Sequence, residues 1–592
     1  MTTRTVFSRW WGAACGVLAA AAAMGIGQLF AGFTVPAASP VVAVGGAAID
    51  RTPLAVKDWA TSTFGTADKT VLLGGVLVVV FLYSILVGVL AMRRLAVGFA
   101  GLAVFAAIGL AAALTRHGAS GSYAVPTIFG ALGGALALWW LVATARRAAA
   151  GGRAGRVSGA GAAQPGGGDE LPPIAFGPGE PVAGDDAAGP GDDARLGWVE
   201  AGGTPAGSPA VYSAGGSGPF RAGPPVPVPG PDGGPDRAAG RRQFLVAAGV
   251  SVAAAGIGYA GGRSLATRKN VSLAQSSLRF PKAAEPVAPL PAGVNLSVPG
   301  ISPFITPNGQ FYRVDTAILV PQVDPSNWSL RIHGMVAREI TITFDELLHR
   351  PLIEDYLTLC CVSNPVGGPY IGNAKWLGAS LAALIREARP QSGADQLLAT
   401  SVDGFTSGTP LQVILDGRDA LLAVAMNGAA LPTAHGFPAR LVVPGLYGYV
   451  SACKWVVDLE VTTFAAAQGY WVPRGWSAMG PIKTESRIDV PTNGASVKAG
   501  KVAVAGVAWA QHKGIEAVEA RVDQGPWTEA TLAVVPGIDT WRQWVWEWDA
   551  TSGTHQIEAR ATDKTGYTQT SVVAEVAPNG ASGYPSTQVT VS

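Results

Sequence analysis

The stretch Thr358-Leu359-Cys360-Cys361-Val362-Ser363-Asn364 decides how the second half of this chain is read. From Leu357 to Val362 the residues suit a strand, and the run then enters a loop ending Val366-Gly367-Gly368-Pro369. Neighbouring strand residues face opposite sides, so only one of Cys360 and Cys361 can point at a site beyond the strand end. Further out, Thr316–Val320 and Trp328–Gly334 read as strands and Phe344–Leu348 as a short helix. Leu377–Ile385 reads as a helix, with Leu377, Leu381 and Leu384 at helical spacing, and Leu441-Val442-Val443 as another strand. Strands and short helices in irregular alternation predict a mixed α+β fold, not a doubly wound sheet. Beyond residue 481, alternating segments at Lys501–Trp509, Ile515–Val522, Thr540–Trp548 and Gly553–Ala561 predict an all-β sandwich.

The first half is a different material. The whole chain of 592 residues is 48% hydrophobic and 14% charged, against about 25% charged in ordinary soluble domains. Five apolar runs, roughly 11–33, 71–92, 95–114, 124–145 and 244–262, approach the length that crosses about 30 Å of hydrocarbon. Arg4 and Arg9, Arg93 and Arg94, Arg146 to Arg156, and Arg237 to Arg242 all fall on one face if the N-terminus is cytoplasmic. The segment after the fifth run is then extracytoplasmic. The runs hold no histidine to ligate a haem and no acid or base to mark an ion path. Anchoring in membrane lipid is therefore their expected role, and a transporter is disfavoured.

Between them, residues 148–240 are dominated by Gly, Pro, Ala and Asp, which predicts a disordered cytoplasmic spacer. Lys+Arg 42 against Asp+Glu 40 gives no sign of a nucleic-acid partner. Four cysteines exclude a disulfide-stapled scaffold and an array of zinc ribbons or iron–sulfur clusters.

Independent motifs then converge in order: Phe311-Tyr312-Arg313, the Cys-x-x-Asn of Cys361, Asp403-Gly404, Asn427-Gly428, Leu431-Pro432, His435-Gly436-Phe437-Pro438-Ala439-Arg440, and Lys454-Trp455. The combination resembles the sulfite oxidase family of molybdopterin enzymes over roughly residues 300–590. With the hydropathy and composition of the first half, the resemblance leads to the expectation of a multi-domain chain. An N-terminal α-helical transmembrane region (1–147) and linker (148–240) lead to a fifth span (241–263). An α+β molybdopterin-binding domain (300–480) and an immunoglobulin-like β-sandwich for dimerisation (481–592) follow. Gly240-Arg241-Arg242-Gln243-Phe244-Leu245 resembles a signal for the twin-arginine export machinery, which carries proteins already folded around a cofactor.

The resemblance also assigns roles. Molybdenum would be held by the pterin dithiolene and one thiolate, and the family pattern selects Cys361, a soft ligand for a sulfur-bound metal. His435, Arg440, Cys453 and Lys454 would bind the cofactor, a planar guanidinium suiting phosphate and Lys454 adding a point charge. Asn308, Phe311, Tyr312 and Arg313 would line the pterin, with Asp403 a pterin-contacting acid. Arg313 and Arg474 would supply charge near the substrate. The chain departs from the family where Asn364 is followed by Pro365-Val366 rather than arginine, and in the loose match of Trp471-Val472-Pro473-Arg474-Gly475-Trp476. Sulfite and a sulfoxide or other small oxo-acceptor both stay open as substrates. Without a cytochrome-like motif, electrons would pass to or from a separate carrier, a cytochrome or a quinone-linked protein. The competing class is a binding protein that keeps the fold without turnover.

Overall fold

The computed structural model describes residues 3–53, 56, 59–60, 63–64, 68–116, 119–157, 235–268 and 271–592. Most of the 148–240 spacer, and His117, lie outside them. Apolar sequence sets the first six helices: α1 (Thr3–Phe33), α2 (Pro40–Arg51), α3 (Asp68–Arg93), α4 (Leu95–Leu114), α5 (Val125–Val157) and α6 (Pro235–Arg268). Arg9–Phe33, Lys69–Arg93, Leu95–Leu114, Gly121–Ala148 and Ala239–Leu265 are long and apolar enough to cross a membrane. Helix enters the 148–240 segment from both ends, to Val157 and from Pro235. Small residues bring α1 and α3 together: a Cβ on Gly16 would lie 1.9 Å from the Ser84 carbonyl oxygen, so only glycine fits. Outward, Val79, Leu82, Leu86, Leu136 and Ile257 stand exposed, the reverse of a water-soluble helix.

The short helix α7 (Ser272–Ser277) leads to a domain built on two sheets. In chain order these hold β1 (Ser329–Gly334), β2 (Ile340–Thr343), β3 (Leu352–Cys360), β4 (Ile371–Ser380), β5 (Gln396–Ser401) and β6 (Thr406–Pro410). Then come β7 (Leu421–Met426), β8 (Ala429–Ala430), β9 (Arg440–Val442) and β10 (Val456–Thr462). One sheet runs β2-β1-β10-β5-β6; the other runs β3-β4-β7-β8, with β9 on β7. Only the β1–β10 pair among these is parallel, as expected of an α+β domain.

Two local expectations fail. Leu377–Ser380 is the end of β4, paired to β3 and β7, and the helix begins only at Leu381, where Ser380 accepts from the Ala383 N–H. The helical spacing of Leu377 straddled a strand-to-helix junction. Thr316–Val320 is not a strand. The Ala317 carbonyl accepts from Lys69, and Ile318 packs close to Gly45 of α2.

After residue 481 a four-stranded and a five-stranded sheet share one core. Val504, Trp544 and Trp548 come from the first, and Val518, Ile557 and Val589 from the second. Trp527 is not core: the guanidinium groups of Arg521 and Arg560 each lie 4.4 Å from its ring.

Candidate active site

β3 ends at Cys360, whose side chain sinks into a core with Phe304, Ile371, Tyr447 and Trp509. One residue on, Cys361 turns the other way and lines a cavity of about 430 Å³. The asparagine of the Cys-x-x-Asn motif fixes this turn. The Asn364 N–H donates to the Cys361 carbonyl, and its side-chain oxygen accepts from the Tyr370 N–H at 2.7 Å. Burial pushes the Cys361 thiol up, against bonds from the Ser363 N–H and hydroxyl and the charge of Lys454.

Arg440 and Lys454 stand side by side across a β-bridge. The loop before them fits because Gly436 has a left-handed φ of 112° and no Cβ; one would lie 3.0 Å from Arg440 and 3.2 Å from Lys454. The buried Arg440 guanidinium donates to the carbonyls of His435, Ala452 and Leu441 at 3.1–3.3 Å and lies 5.3 Å from the Trp376 ring. Among the described residues no carboxylate is paired with it, and burial lowers its pKa to about 10. His435 packs edge-on to Phe311 at 5.7 Å; burial and then Arg440 and Lys454 lower it to about 4, so it is neutral at pH 7. Burial brings Lys454 down to about 8 against the pull of Asp315.

Asp315, which sequence reasoning missed, organises the cations. Its carboxylate is almost wholly buried and accepts from Lys454 at 2.7 Å, Arg313 at 2.8 Å and Lys69 at 3.0 Å. Burial opposes ionisation, yet these three cations together hold the carboxyl well below its usual range.

Cys361, Phe311, Tyr312, Asp403, His435, Arg440 and Lys454 all line the one cavity. Four expected residues do not. Arg313 is spent on Asp315. Arg474 stacks over Tyr470 at 3.7 Å and donates to the Tyr470 and Asp50 carbonyls. Asn308 joins Asn427 and the Met426 carbonyl behind the wall, although its backbone meets His435. Cys453 faces the domain core, again because neighbouring residues diverge.

Residues 317–471 match the oxidoreductase molybdopterin binding domain family. The chain is 29% identical to sulfite oxidase of Gallus gallus over 326 residues, 46% of this chain and 70% of that one. With mitochondrial sulfite oxidase of Mus musculus it shares 28% over 288 residues, 41% of this chain and 52% of the mouse protein. The similarity is to the sulfite oxidase family. Among solved structures, the sulfane dehydrogenase SoxCD from Paracoccus pantotrophus is similar at TM-score 0.41 and 24% identity, over 45% of this chain and 75% of that one. The chain thus spans about half the length of the mouse relative.

The matched domain is a molybdopterin-binding oxidoreductase domain, which implies a molybdenum oxidoreductase with a molybdopterin cofactor, and the cavity fits one. A single thiol suits a metal that brings its other sulfur ligands with it. Among the described residues no cluster of three or more His, Cys, Asp or Glu could hold a metal unaided. The buried Arg440, lacking an acid, suits the cofactor's phosphate. The remaining wall comes from outside the matched domain: Ile49, Thr52, Val56, Trp59, Phe64 and Lys69. No local pattern in the sequence marked these residues; only the fold brings them there.

Proposed function

We propose that this chain is a membrane-anchored, extracytoplasmic molybdopterin oxidoreductase that moves an oxo group to or from a small substrate such as sulfite. The observation that carries the reading is the pairing, on one cavity, of the Cys361 thiol with the acid-free Arg440 guanidinium. When bound, the cofactor supplies the two-electron oxo chemistry. The chain's own residues bind and orient it. Cys361, once deprotonated, holds the metal; Arg440 and Lys454 hold the phosphate; neutral His435 offers a hydrogen bond; and Phe311, Tyr312 and Asp403 shape the pterin's bed. The apolar wall keeps bulk water out.

Arg313 and Arg474 do not line the cavity, and with Arg440 and Lys454 given to the cofactor phosphate, little charge is left for an oxyanion. This favours, as a second reading, an uncharged substrate such as a sulfoxide. Electrons would go to or come from a separate carrier, a cytochrome or quinone-linked protein. The domain after residue 481 would be an immunoglobulin-like dimerisation module, and Arg241-Arg242 a twin-arginine export signal.

Helix positions support the orientation. The apolar span of α3 runs from Lys69, bonded to Asp315 of the catalytic domain, to Arg93. Its 25 apolar-span residues put about 36 Å between those ends. Arg146 donates to the Ala91 carbonyl at 2.8 Å, so two arginine clusters share the end away from the domain.

The test is molybdenum and pterin content of the full chain beside Cys361→Ser. The reading expects stoichiometric metal and an altered metal spectrum in the variant. A well-folded protein free of both metal and pterin would leave a non-catalytic binding protein.

A further inference from the structure

We propose that Ile49, Val56, Trp59 and Phe64 form a working wall of the active site, and that Lys69 is a positioning residue that acts through Asp315 on Lys454. The wall begins at Ile49, in the last turn of α2, and includes Trp59 and Phe64, whose rings meet edge-on at 5.5 Å. These residues face the cavity lined on its far side by Cys361 and Arg440.

Lys69 ties this wall down at the first turn of α3. Its ammonium has three protons and the structure gives each an acceptor: the Asp315 carboxylate at 3.0 Å, the Asp315 carbonyl at 2.7 Å and the Ala317 carbonyl at 2.8 Å. Asp315 in turn grips Lys454 at 2.7 Å, and Lys454 also donates to the Ala434 carbonyl beside His435. One carboxylate therefore joins the head of a membrane-length helix to the lysine of the cofactor loop. At the other end of the segment, the Asp50 side chain accepts from the Tyr470 hydroxyl at 2.7 Å, and the Asp50 carbonyl accepts from Arg474. The wall is fastened at both ends to the domain it closes. On this basis the helices do more than anchor: a catalytic half cut away from them has an open site.

The effect on Lys454 rests on the reading of the cavity as a cofactor site; the covering of Cys361 does not, and two measurements separate them. In cofactor-free full chain in detergent, iodoacetamide labelling of Cys361, located by peptide mass spectrometry, reports cover directly. Trp59→Ser with Phe64→Ser is expected to label about tenfold faster than the parent, whereas unchanged labelling in a folded variant overturns the wall. In loaded full chain, pterin release into buffer is followed by its fluorescence. Lys69→Met is expected to release pterin about tenfold faster, the scale of one lost charged hydrogen bond. Lys69→Arg, which keeps the charge and several donors, should stay within about threefold of the parent. Release from Lys69→Met at the parent's rate, or equally fast release from Lys69→Arg, overturns the positioning role. Circular dichroism and Cys361 labelling of the same variants identify a mere folding failure.

Discussion

At the back of the cavity, Arg440, Lys454 and His435 sit on strand ends and a tight loop. At the front, Trp59 and Phe64 belong to a segment held by Lys69, Asp50 and Tyr470. The back concentrates cations that the protein itself only partly neutralises: Lys454 shares Asp315 with Arg313 and with Lys69 of the front, and Arg440 donates to carbonyls. The front is mostly apolar. A site so divided is unfinished at the back until an anion arrives, and complete at the front once water is excluded. Substitutions at the back should therefore act on cofactor binding, and those at the front on access and local stability.

The two adjacent cysteines give the widest separation. Cys361→Ser should cut molybdenum content by about tenfold or more and alter the spectrum of the metal that remains, a loss at least on the scale of removing a residue behind a metal ligand. Cys360→Ser should keep its metal and instead lose about 1–3 kcal/mol of stability, the cost of a hydroxyl in an apolar core. Metal analysis beside thermal denaturation checks both. If Cys360→Ser loses the metal and Cys361→Ser keeps it, the assignment of the cavity's sulfur is wrong.

Next in size is Arg440→Lys. It preserves the charge but loses the planar fork and at least one of three carbonyl contacts. Pterin retention should fall about tenfold while the fold survives. Equal retention would mean that phosphate is not held there.

Lys454 separates the two states of the back wall by pH. Its folded pKa, about 8, lies below its ordinary 10.5, so from about pH 8 to 10.5 the unfolded chain binds more protons. Stability of the cofactor-free protein should rise with pH across that window and carry the penalty below it. Affinity for an anionic cofactor should move oppositely, falling as Lys454 loses its proton. His435, lowered to about 4 from 6.5, should add a second rise in stability between about pH 4 and 6.5. Lys454→Gln should flatten the alkaline window alone, measured as denaturant midpoint against pH. A slope that persists in the variant would place the titration elsewhere.

The same division governs what the sequence discloses. Hydropathy located the five long helices because a span of that length is apolar wherever it lies. Strand alternation said that only one of Cys360 and Cys361 could face the site and the family pattern chose Cys361; alternation applies equally to Cys453 beside Lys454, where it went unused. The strands from Gly500 to Asp563 followed from period-two patterning between turns. Asp315, Lys69 and the α2–α3 wall were illegible because the Lys69–Asp315 pair spans 246 residues and leaves no local signature. For the same reason Arg313 and Arg474 were expected at the substrate: a charge in a motif does not reveal which acid or carbonyl has already claimed it.

The smallest effect should come from the far fastening of the wall. The Tyr470 hydroxyl donates to Asp50 at 2.7 Å, while Arg474 stacks on the Tyr470 ring. Tyr470→Phe removes the first and keeps the second. Because the Tyr470–Asp50 bond is exposed, its loss should cost about 0.5–1 kcal/mol, too little to disturb metal content. It should instead show as amide hydrogen exchange at the end of α2, residues 48–52, quickening by about two- to fivefold, with the core strand β7 unchanged. Quickening in β7 as well would mean that the bond stabilises the whole domain rather than its front wall. No change at the end of α2 would leave Arg474 as the main tie there, and Arg474→Met should then release the segment where Tyr470→Phe did not.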